Sequence, residues 1–298
     1  MSAPGYTITE GVTLASRTSI GLGGRVIAEV RLEHERGCEA LPELARRLGG
    51  RPVFLGAGSN VIASDEPLPL VLVTLPRSAD VRIVGEERAC TLLQADGGMP
   101  LPVLLSRAAS LGLGGLAGLA GIPGSVGGAV AMNAGSFGVE LGAHVHGLRA
   151  YSPALGVADI PASDLVFAYR HCSLAGHAEP FLVIDATLAL PKRDGNAVKA
   201  AMREAMDKKR ASQPVTAQSA GCVFKNPAPD APAGRLLEEA GLKGKSLGGM
   251  RFSSLHANFL VNEGGGRAAE AFELIALAKE RVLARSGYSL ETEVKLWR

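Results

Sequence analysis

The sequence predicts a mixed fold of strands and helices, α/β or α+β, built from two or three packed units. Three observations carry this. The chain has 298 residues, enough for that number of units and a large core. It is 47% hydrophobic but only 4% aromatic, so Ala, Val, Leu and Gly make up the interior. Short apolar runs bounded by Gly and Pro recur along it, separated by a few runs with a 3.6-residue period. The charges are interspersed and sum to +2, which leaves no electrostatic footprint for duplex nucleic acid or an anionic membrane. The first sixteen residues lack a basic stretch followed by an apolar run, so no signal peptide is expected. Cys38, Cys90, Cys172 and Cys222 are scattered without a C-x-x-C, which fits reduced thiols in the cytosol better than a disulfide framework or a zinc site. No metal and no protein partner is implied.

Residues 1–16 are polar and peripheral. Thr18 to Gly24 leads into a strand at Val26–Val30. Cys38 to Leu48 is a short amphipathic helix that Gly49-Gly50 stops. Pro52 to Leu55 is a buried strand running into Gly56-Ala57-Gly58-Ser59-Asn60, where exposed amides, a hydroxyl and a carboxamide suit a pyrophosphate. This is not the dinucleotide fingerprint: position 61 is Val, no helix pattern follows, and no acid stands about twenty positions on. The doubly wound reading is therefore weak. Residues 70–75, 81–84 and 89–95 are strands, with Gly85-Glu86-Glu87 as the hairpin between the last two and Asp96-Gly97-Gly98 ending the set. A helix from Pro100 to Leu111 tolerates Pro102 in its first turn.

Gly112 to Gly138 follows, with no charge between Arg107 and Glu140. Glycine at about every third position, with Pro123 and Asn133 inside, argues against a membrane span. Such a segment brings backbone very close to something: amides that no Cβ shields bind phosphate or carbonyl oxygens, or lie flat on a ring system. The alternative is a buried pair of glycine-rich turns without a ligand. His144-Val145-His146 is a pair of strand histidines, or two ligands of a metal whose third ligand is missing. Phe181 to Leu190 is the strongest strand, and Pro191 to Asn196 is the clearest linker. Ala197–Ala211 and Arg235–Ala240 are helices, Phe252–Asn262 a strand, Arg267–Ser286 the best helix, with Phe272, Ile275, Ala278 and Val282 in one stripe, and Leu290–Leu296 a closing strand.

Five motifs carry a resemblance. They are Leu55–Val61, the run Gly121-Ile122-Pro123-Gly124-Ser125-Val126-Gly127-Gly128 with Asn133-Ala134-Gly135, Phe167–Arg170, Ser219–Pro227, and the ending Leu290-Glu291-Thr292-Glu293-Val294. In identity and order they resemble the UDP-N-acetylenolpyruvoylglucosamine reductase family. Thr18–Gly24 is a partial further match, with one extra residue before the glycine pair. The resemblance implies an α+β chain. Its FAD-binding half is of the vanillyl-alcohol oxidase (PCMH) type, over residues 1–193 in subdomains of about 1–75 and 76–193. Residues 194–298 form a smaller α+β substrate-binding domain whose last strand returns to the active site. It implies FAD, NADPH as co-substrate, and a UDP-linked sugar whose enolpyruvyl double bond takes a hydride to give the lactyl ether. The family's longer form carries an extra tyrosine loop for which there is no room between Arg210 and Leu242, so this chain resembles the shorter form.

The resemblance assigns FAD to Gly56, Ala57, Gly58, Ser59, Asn60, Val61, Gly121, Ile122, Pro123, Gly124, Ser125, Gly127, Gly128, Asn133 and Val183. Negative charge that builds on the α-carbon and its carboxylate needs a cation and a proton donor. Arg170, with a planar fork matched to a carboxylate, is the cation by the resemblance; from the residues alone a surface arginine at a strand end is the commoner case. Tyr169 contacts substrate or packs. Cys222 stands where many members carry serine; a free thiol, of pKa about 8.5, is the better acid, against the alternative of a buried inert cysteine. Glu293 is the third catalytic residue by carry-over, though Glu291 shares its strand face and spacing does not choose between them. The substrate set is Tyr169, Lys225, Asn226 and His256, with Lys209 or Arg210 for the diphosphate. Another flavin oxidoreductase on the same scaffold, or a non-catalytic nucleotide-binding protein, are the rival readings.

Overall fold

A computed structural model describes residues 5–298. In chain order its strands and helices begin with β1 (Tyr6–Glu10), β2 (Val26–Leu32), α1 (Leu41–Leu48), β3 (Arg51–Phe54), β4 (Val61–Ala63) and β5 (Leu68–Thr74). The hairpin β6 (Val81–Glu87) and β7 (Cys90–Asp96) precedes α2 (Leu101–Ser110) and α3 (Val126–Ala131). Next come β8 (Gly135–Ser136), β9 (Val139–Glu140), β10 (Val145–Ser152), β11 (Gly156–Pro161), β12 (Leu165–Ala168), β13 (His171–Leu174) and β14 (Leu182–Pro191). The last part holds α4 (Gly195–Ser212), β15 (Ser219–Cys222), α5 (Ala233–Glu239), β16 (Ser246–Leu247), β17 (Met250–Phe252), β18 (Phe259–Asn262), α6 (Ala268–Ser286) and β19 (Lys295–Trp297).

Two compact units divide these elements, and both are discontinuous in sequence. The first takes the described part of Met1–Glu10 together with Ile27–Ala57 and Leu70–Lys208. Its first sheet runs β1-β2-β5-β3, with β1 antiparallel to β2 and β3 parallel to β5. Its second, antiparallel, runs β11-β10-β14-β7-β6. Strict alternation along β7 sends Leu93 and Ala95 inward, where they join Ala186, Leu188 and Leu190 of β14 and Leu101, Leu104 and Leu105 of α2. The second unit takes Gly11–Val26, Gly58–Pro69 and Lys209–Arg298. Its antiparallel sheet runs β15-β18-β17-β16, and β19 pairs in parallel with β4. Helix α6 buries Ala268, Ala271, Leu274, Ile275, Ala278 and Val282, an apolar stripe at spacings of three and four, and Gly287 ends it at φ 74. Phe272 is partly buried at the edge of that stripe and packs against the same core, with the Arg298 guanidinium 4.6 Å from its ring centroid.

Several expectations need correction. The helix predicted from Cys38 begins as a 3-10 turn, Glu35–Ala40, and becomes α-helical only at Leu41, because Pro42 has no N–H for an earlier turn to use. The β6–β7 turn is Arg88-Ala89, both left-handed at φ 52 and 65, as a two-residue hairpin turn requires, whereas Gly85 sits at a register shift. His144 ends a 3-10 turn and only His146 lies on a strand, where its Nδ1 faces Glu87 at 3.4 Å. The linker shrinks to residues 192–194. Phe252–Asn262 is two strands: the Ser253 hydroxyl accepts from the Leu255 and His256 amides, and these local bonds turn the chain. The closing strand covers only Lys295–Trp297. The stretch once open to a membrane reading folds as a 3-10 turn at Ala117–Leu119 and the short α3, and among the described residues no helix is long and apolar enough to cross a membrane.

Candidate active site

The assigned residues fall into one group in each unit. In the first, Ser125 adopts an extended backbone (φ −98, ψ 161) and its Oγ accepts from the Gly128 amide at 3.2 Å, starting α3. The Val126 and Gly127 amides donate to Met99 O and Gly97 O, both at 2.8 Å. The turn they lean on is pinned by Gly97, whose amide donates to Ile184 O at 2.6 Å. No side chain fits there: a Cβ on Gly97 would collide with Val183 O, one on Gly56 with Ser125 Oγ, and one on Gly127 would sit 3.2 Å from Gly97 O. Gly56, Ser125, Gly127 and Val183 are thus brought together by close backbone approach. Because the amides of Val126, Gly127 and Gly128 are engaged inside the protein, these positions offer a ligand bare backbone surface rather than donors. That fits a flat ring system, one of the two uses expected of the segment. Gly97 belongs to this cluster; its Asp-Gly-Gly sequence signalled only the end of a strand.

Arg170 is not on a strand. It occupies the turn between β12 and β13 at φ 58, a left-handed backbone that a side chain adopts at a cost of about 1–2 kcal/mol. Its guanidinium lies 4.9 Å from the Tyr169 ring centroid, and one of its nitrogens comes within 3.1 Å of where a Cβ on Gly135 would stand. Tyr169 is 45% exposed. The turn is anchored by Asn133, itself left-handed at φ 39 and 1% exposed. The Asn133 Nδ2 donates to Ala168 O at 3.1 Å and to Glu140 Oε2 at 3.0 Å, and its Oδ1 accepts from the Gly142 amide at 2.9 Å. With both donors used and almost no exposed surface, the Asn133 side chain holds the Arg170 turn. Glu140 was missed because nothing in the sequence marks an acid as a partner for an asparagine seven positions earlier.

In the second unit, Cys222 ends β15 opposite Phe259 and is partly buried. The next residue is the link: Glu293 N donates to Val223 O at 2.8 Å. Asn60 Nδ2 donates to Glu293 O at 3.2 Å, and Lys295 N donates to Asn60 O at 2.9 Å. Gly221, at φ 79, places its Cβ direction 3.9 Å from Ser59 O. Gly58, at φ 65, packs so closely that a Cβ would collide with Arg17 O, and Ser19 donates to Gly58 O from its amide at 3.1 Å and to Ser219 O from its hydroxyl at 2.6 Å. The glycine-rich loop, Cys222 and Glu293 therefore share one neighbourhood, and Ser19 is an anchor of it that the sequence left unmarked.

The two acids separate here. Glu291 Oε1 accepts from Lys225 Nζ at 2.5 Å, and this bond holds the Glu291 carboxyl below the usual carboxylate range. The chain bends at Glu293 and Val294, so the two acids no longer share a strand face. Lys209 is 3% exposed whereas Arg210 is exposed. Asn226 Oδ1 accepts from Ala233 N at 3.0 Å at the start of α5. His256 is half-buried, its Nδ1 accepts from Asn258 N at 3.2 Å, and burial pushes its pKa down. The lone-pair nitrogen is thus engaged, which leaves Nε2–H as its only outward donor.

Comparison with known proteins places both halves. Residues 213–297 match the family model for the UDP-N-acetylenolpyruvoylglucosamine reductase C-terminal domain, and residues 26–156 match that of an FAD binding domain. The chain is 50% identical over 289 residues to a UDP-N-acetylenolpyruvoylglucosamine reductase of Nitratidesulfovibrio vulgaris, covering 97% of this chain and 98% of the relative. It is 46% identical over 292 residues to one of Oleidesulfovibrio alaskensis, again covering 97% and 98%. The crystal structure of UDP-N-acetylenolpyruvylglucosamine reductase (MurB) from Thermus caldophilus superposes with a TM-score of 0.80 at 32% identity, over 98% of this chain and 100% of that one.

Proposed function

The chain belongs to the UDP-N-acetylenolpyruvoylglucosamine reductase family, and from that premise we propose how its residues reduce the enolpyruvyl group of a UDP-linked N-acetylglucosamine to the lactyl ether of UDP-N-acetylmuramate, in peptidoglycan precursor synthesis. When bound, FAD supplies the hydride, drawn from NADPH, to the enolpyruvyl β-carbon. Gly56, Gly121–Gly124, Gly127 and Gly128 would hold that cofactor's ring system, and Gly58–Val61 would hold its pyrophosphate.

Arg170 faces the substrate carboxylate. Its guanidinium keeps its charge at any working pH and accepts the growing negative charge through paired N–H bonds. The Asn133 clamp and the Tyr169 ring set its direction before substrate arrives. Cys222 Sγ–H delivers the proton to the α-carbon, and the thiolate left behind regains a proton between turnovers. Glu293, matched to the family's third catalytic residue by the resemblance of the chain's ending, is the acid–base group on the segment bonded to Val223. Lys225 and buried Lys209 take the substrate diphosphate, with Asn226 and His256 at the nearby turns. The observation that carries the reading is the Val223–Glu293 bond, which lays the Cys222 strand against the Glu293 segment beside the Gly58–Asn60 loop. Cysteines scattered at 38, 90, 172 and 222 without a C-x-x-C fit a cytoplasmic setting, where thiols are kept reduced.

The test follows the two half-reactions anaerobically by flavin absorbance. Cys222→Ala is expected to be reduced by NADPH at the wild-type rate and to stall when the enolpyruvyl sugar nucleotide reoxidises it, while Cys222→Ser keeps substantial activity. Wild-type reoxidation in Cys222→Ala sinks the donor role.

A further inference from the structure

Asn258 belongs to none of the assigned sets, yet it is 3% exposed and makes three bonds to one neighbouring segment. It precedes β18, where the chain turns away from the sheet. Its backbone oxygen accepts from Val223 N at 2.8 Å. Its Oδ1 accepts from Phe224 N at 2.9 Å, and its Nδ2 donates to Phe224 O at 2.8 Å. A carboxamide carries the same donor and acceptor as a peptide unit. The Asn258 side chain therefore adds one more rung to the β15–β18 ladder beyond its Cys222–Phe259 pair, where the backbone has run out.

The opposite edge of the same segment is held too: Val223 O accepts from Glu293 N, and Lys225 N donates to Glu291 O at 2.9 Å. Val223 and Phe224 are each 1% exposed, so these backbone groups have no water to turn to if a partner is lost. His256 in turn fixes Asn258, accepting its amide on Nδ1. The segment so gripped carries Cys222 at one end and Lys225 at the other.

We propose that Asn258 is a positioning residue for the reaction: its carboxamide fixes the Val223–Phe224 backbone and, through it, the direction in which the Cys222 thiol points. The inference rests on the donor reading of Cys222 given above. It also explains why a residue inside a His-Ala-Asn-Phe turn, far from Cys222 in sequence, is bonded through both the oxygen and the nitrogen of its side chain.

Two variants grade the perturbation. Asn258→Asp keeps the acceptor for Phe224 N and loses the donor to Phe224 O; Asn258→Ser loses the reach to both without burying a charge. Each is studied as the FAD-loaded full chain, with the two half-reactions followed anaerobically and amide hydrogen exchange read at Val223 and Phe224. Exchange at those amides is expected to quicken, while FAD content and reduction by NADPH stay at wild-type levels. Reoxidation by the sugar nucleotide is expected to slow on the order of tenfold to a hundredfold, the scale set by a small misplacement of a reacting group, with a raised solvent isotope effect on that half alone. In a Cys222→Ala background the same substitutions are expected to add less than about twofold, because the group they misplace is gone. Equal slowing of both halves, loss of FAD, or undiminished effects in the Cys222→Ala background would overturn the proposal. If Asn258→Asp does not accumulate, Asn258→Ser carries the same comparison. Failure of the donor reading itself is distinguished by wild-type reoxidation in Cys222→Ala, a protein in which Asn258 is untouched.

Discussion

Truncating Asn133 removes the clamp behind Arg170, and its cost follows from the geometry. Asn133→Ala deletes bonds of 2.9, 3.0 and 3.1 Å to Gly142, Glu140 and Ala168. A neutral hydrogen bond contributes about 0.5–1.5 kcal/mol net, and one to a charged group about 1.5–3 kcal/mol. Ala168 is exposed, so its carbonyl is rehydrated and that bond's loss is the least costly of the three. The expected destabilisation is then roughly 2–4 kcal/mol. Alanine at φ 39 adds on the order of 1 kcal/mol of backbone strain, which Asn133→Gly avoids. The pair of variants therefore separates side-chain bonding from backbone strain: both lose the clamp, and glycine recovers only the smaller part. Urea unfolding measures stability, and stopped-flow absorbance of the FAD-loaded protein measures the half-reactions. Reoxidation by the sugar nucleotide is expected to slow on the order of tenfold or more while NADPH reduction is spared, because the turn that loosens is the one carrying Arg170, the residue proposed to meet the carboxylate. An Asn133→Ala protein within about 0.5 kcal/mol of wild type, with normal reoxidation, refutes the clamp.

Other substitutions probe the remaining parts. Gly56→Ala drives a methyl into Ser125 Oγ, so FAD content is expected to fall and stability to drop by about 1–3 kcal/mol, read by flavin absorbance and urea midpoint. Lys225→Ala is expected to raise KM for the sugar nucleotide about tenfold with kcat little changed, as for a group that holds substrate and transition state alike. Glu291→Gln, which frees Lys225 from an ion pair whose carboxylate is exposed, is expected to shift stability by less than about 1 kcal/mol, and a larger loss shows that the pair is structural. His256 has a folded-state pKa below its ordinary value because burial favours the neutral ring, so the unfolded chain binds the proton more readily. Its contribution is fully present above the unfolded-state pKa of about 6.5 and is lost as the pH falls below it. His256→Asn keeps an acceptor for the Asn258 amide and is expected to flatten the stability profile below that pH; an unchanged profile assigns the acid sensitivity elsewhere.

Much of this protein was legible before any coordinates. The helix stops at Gly49 and Gly287, the buried strands β5 and β14, and the motifs themselves follow from local rules that act within a few residues. What failed locally failed for tertiary reasons. Gly85 promised a turn that Arg88-Ala89 makes, because the ladder partner of β6 decides where the hairpin closes. Phe252–Asn262 has strand composition throughout, but Ser253 and His256 bond their own backbone and turn it.

By itself the sequence determined the α+β elements and the family, since each is written in residue type and spacing. Only the tertiary structure decided that Glu291 belongs to Lys225, that Asn133 holds the Arg170 turn, and that Asn258 takes the place of a strand residue beside Cys222. The reason is physical. A carboxylate or carboxamide has the same donors and acceptors wherever it stands, so its partner is chosen by which backbone the fold carries past it, and sequence distance holds no trace of that choice.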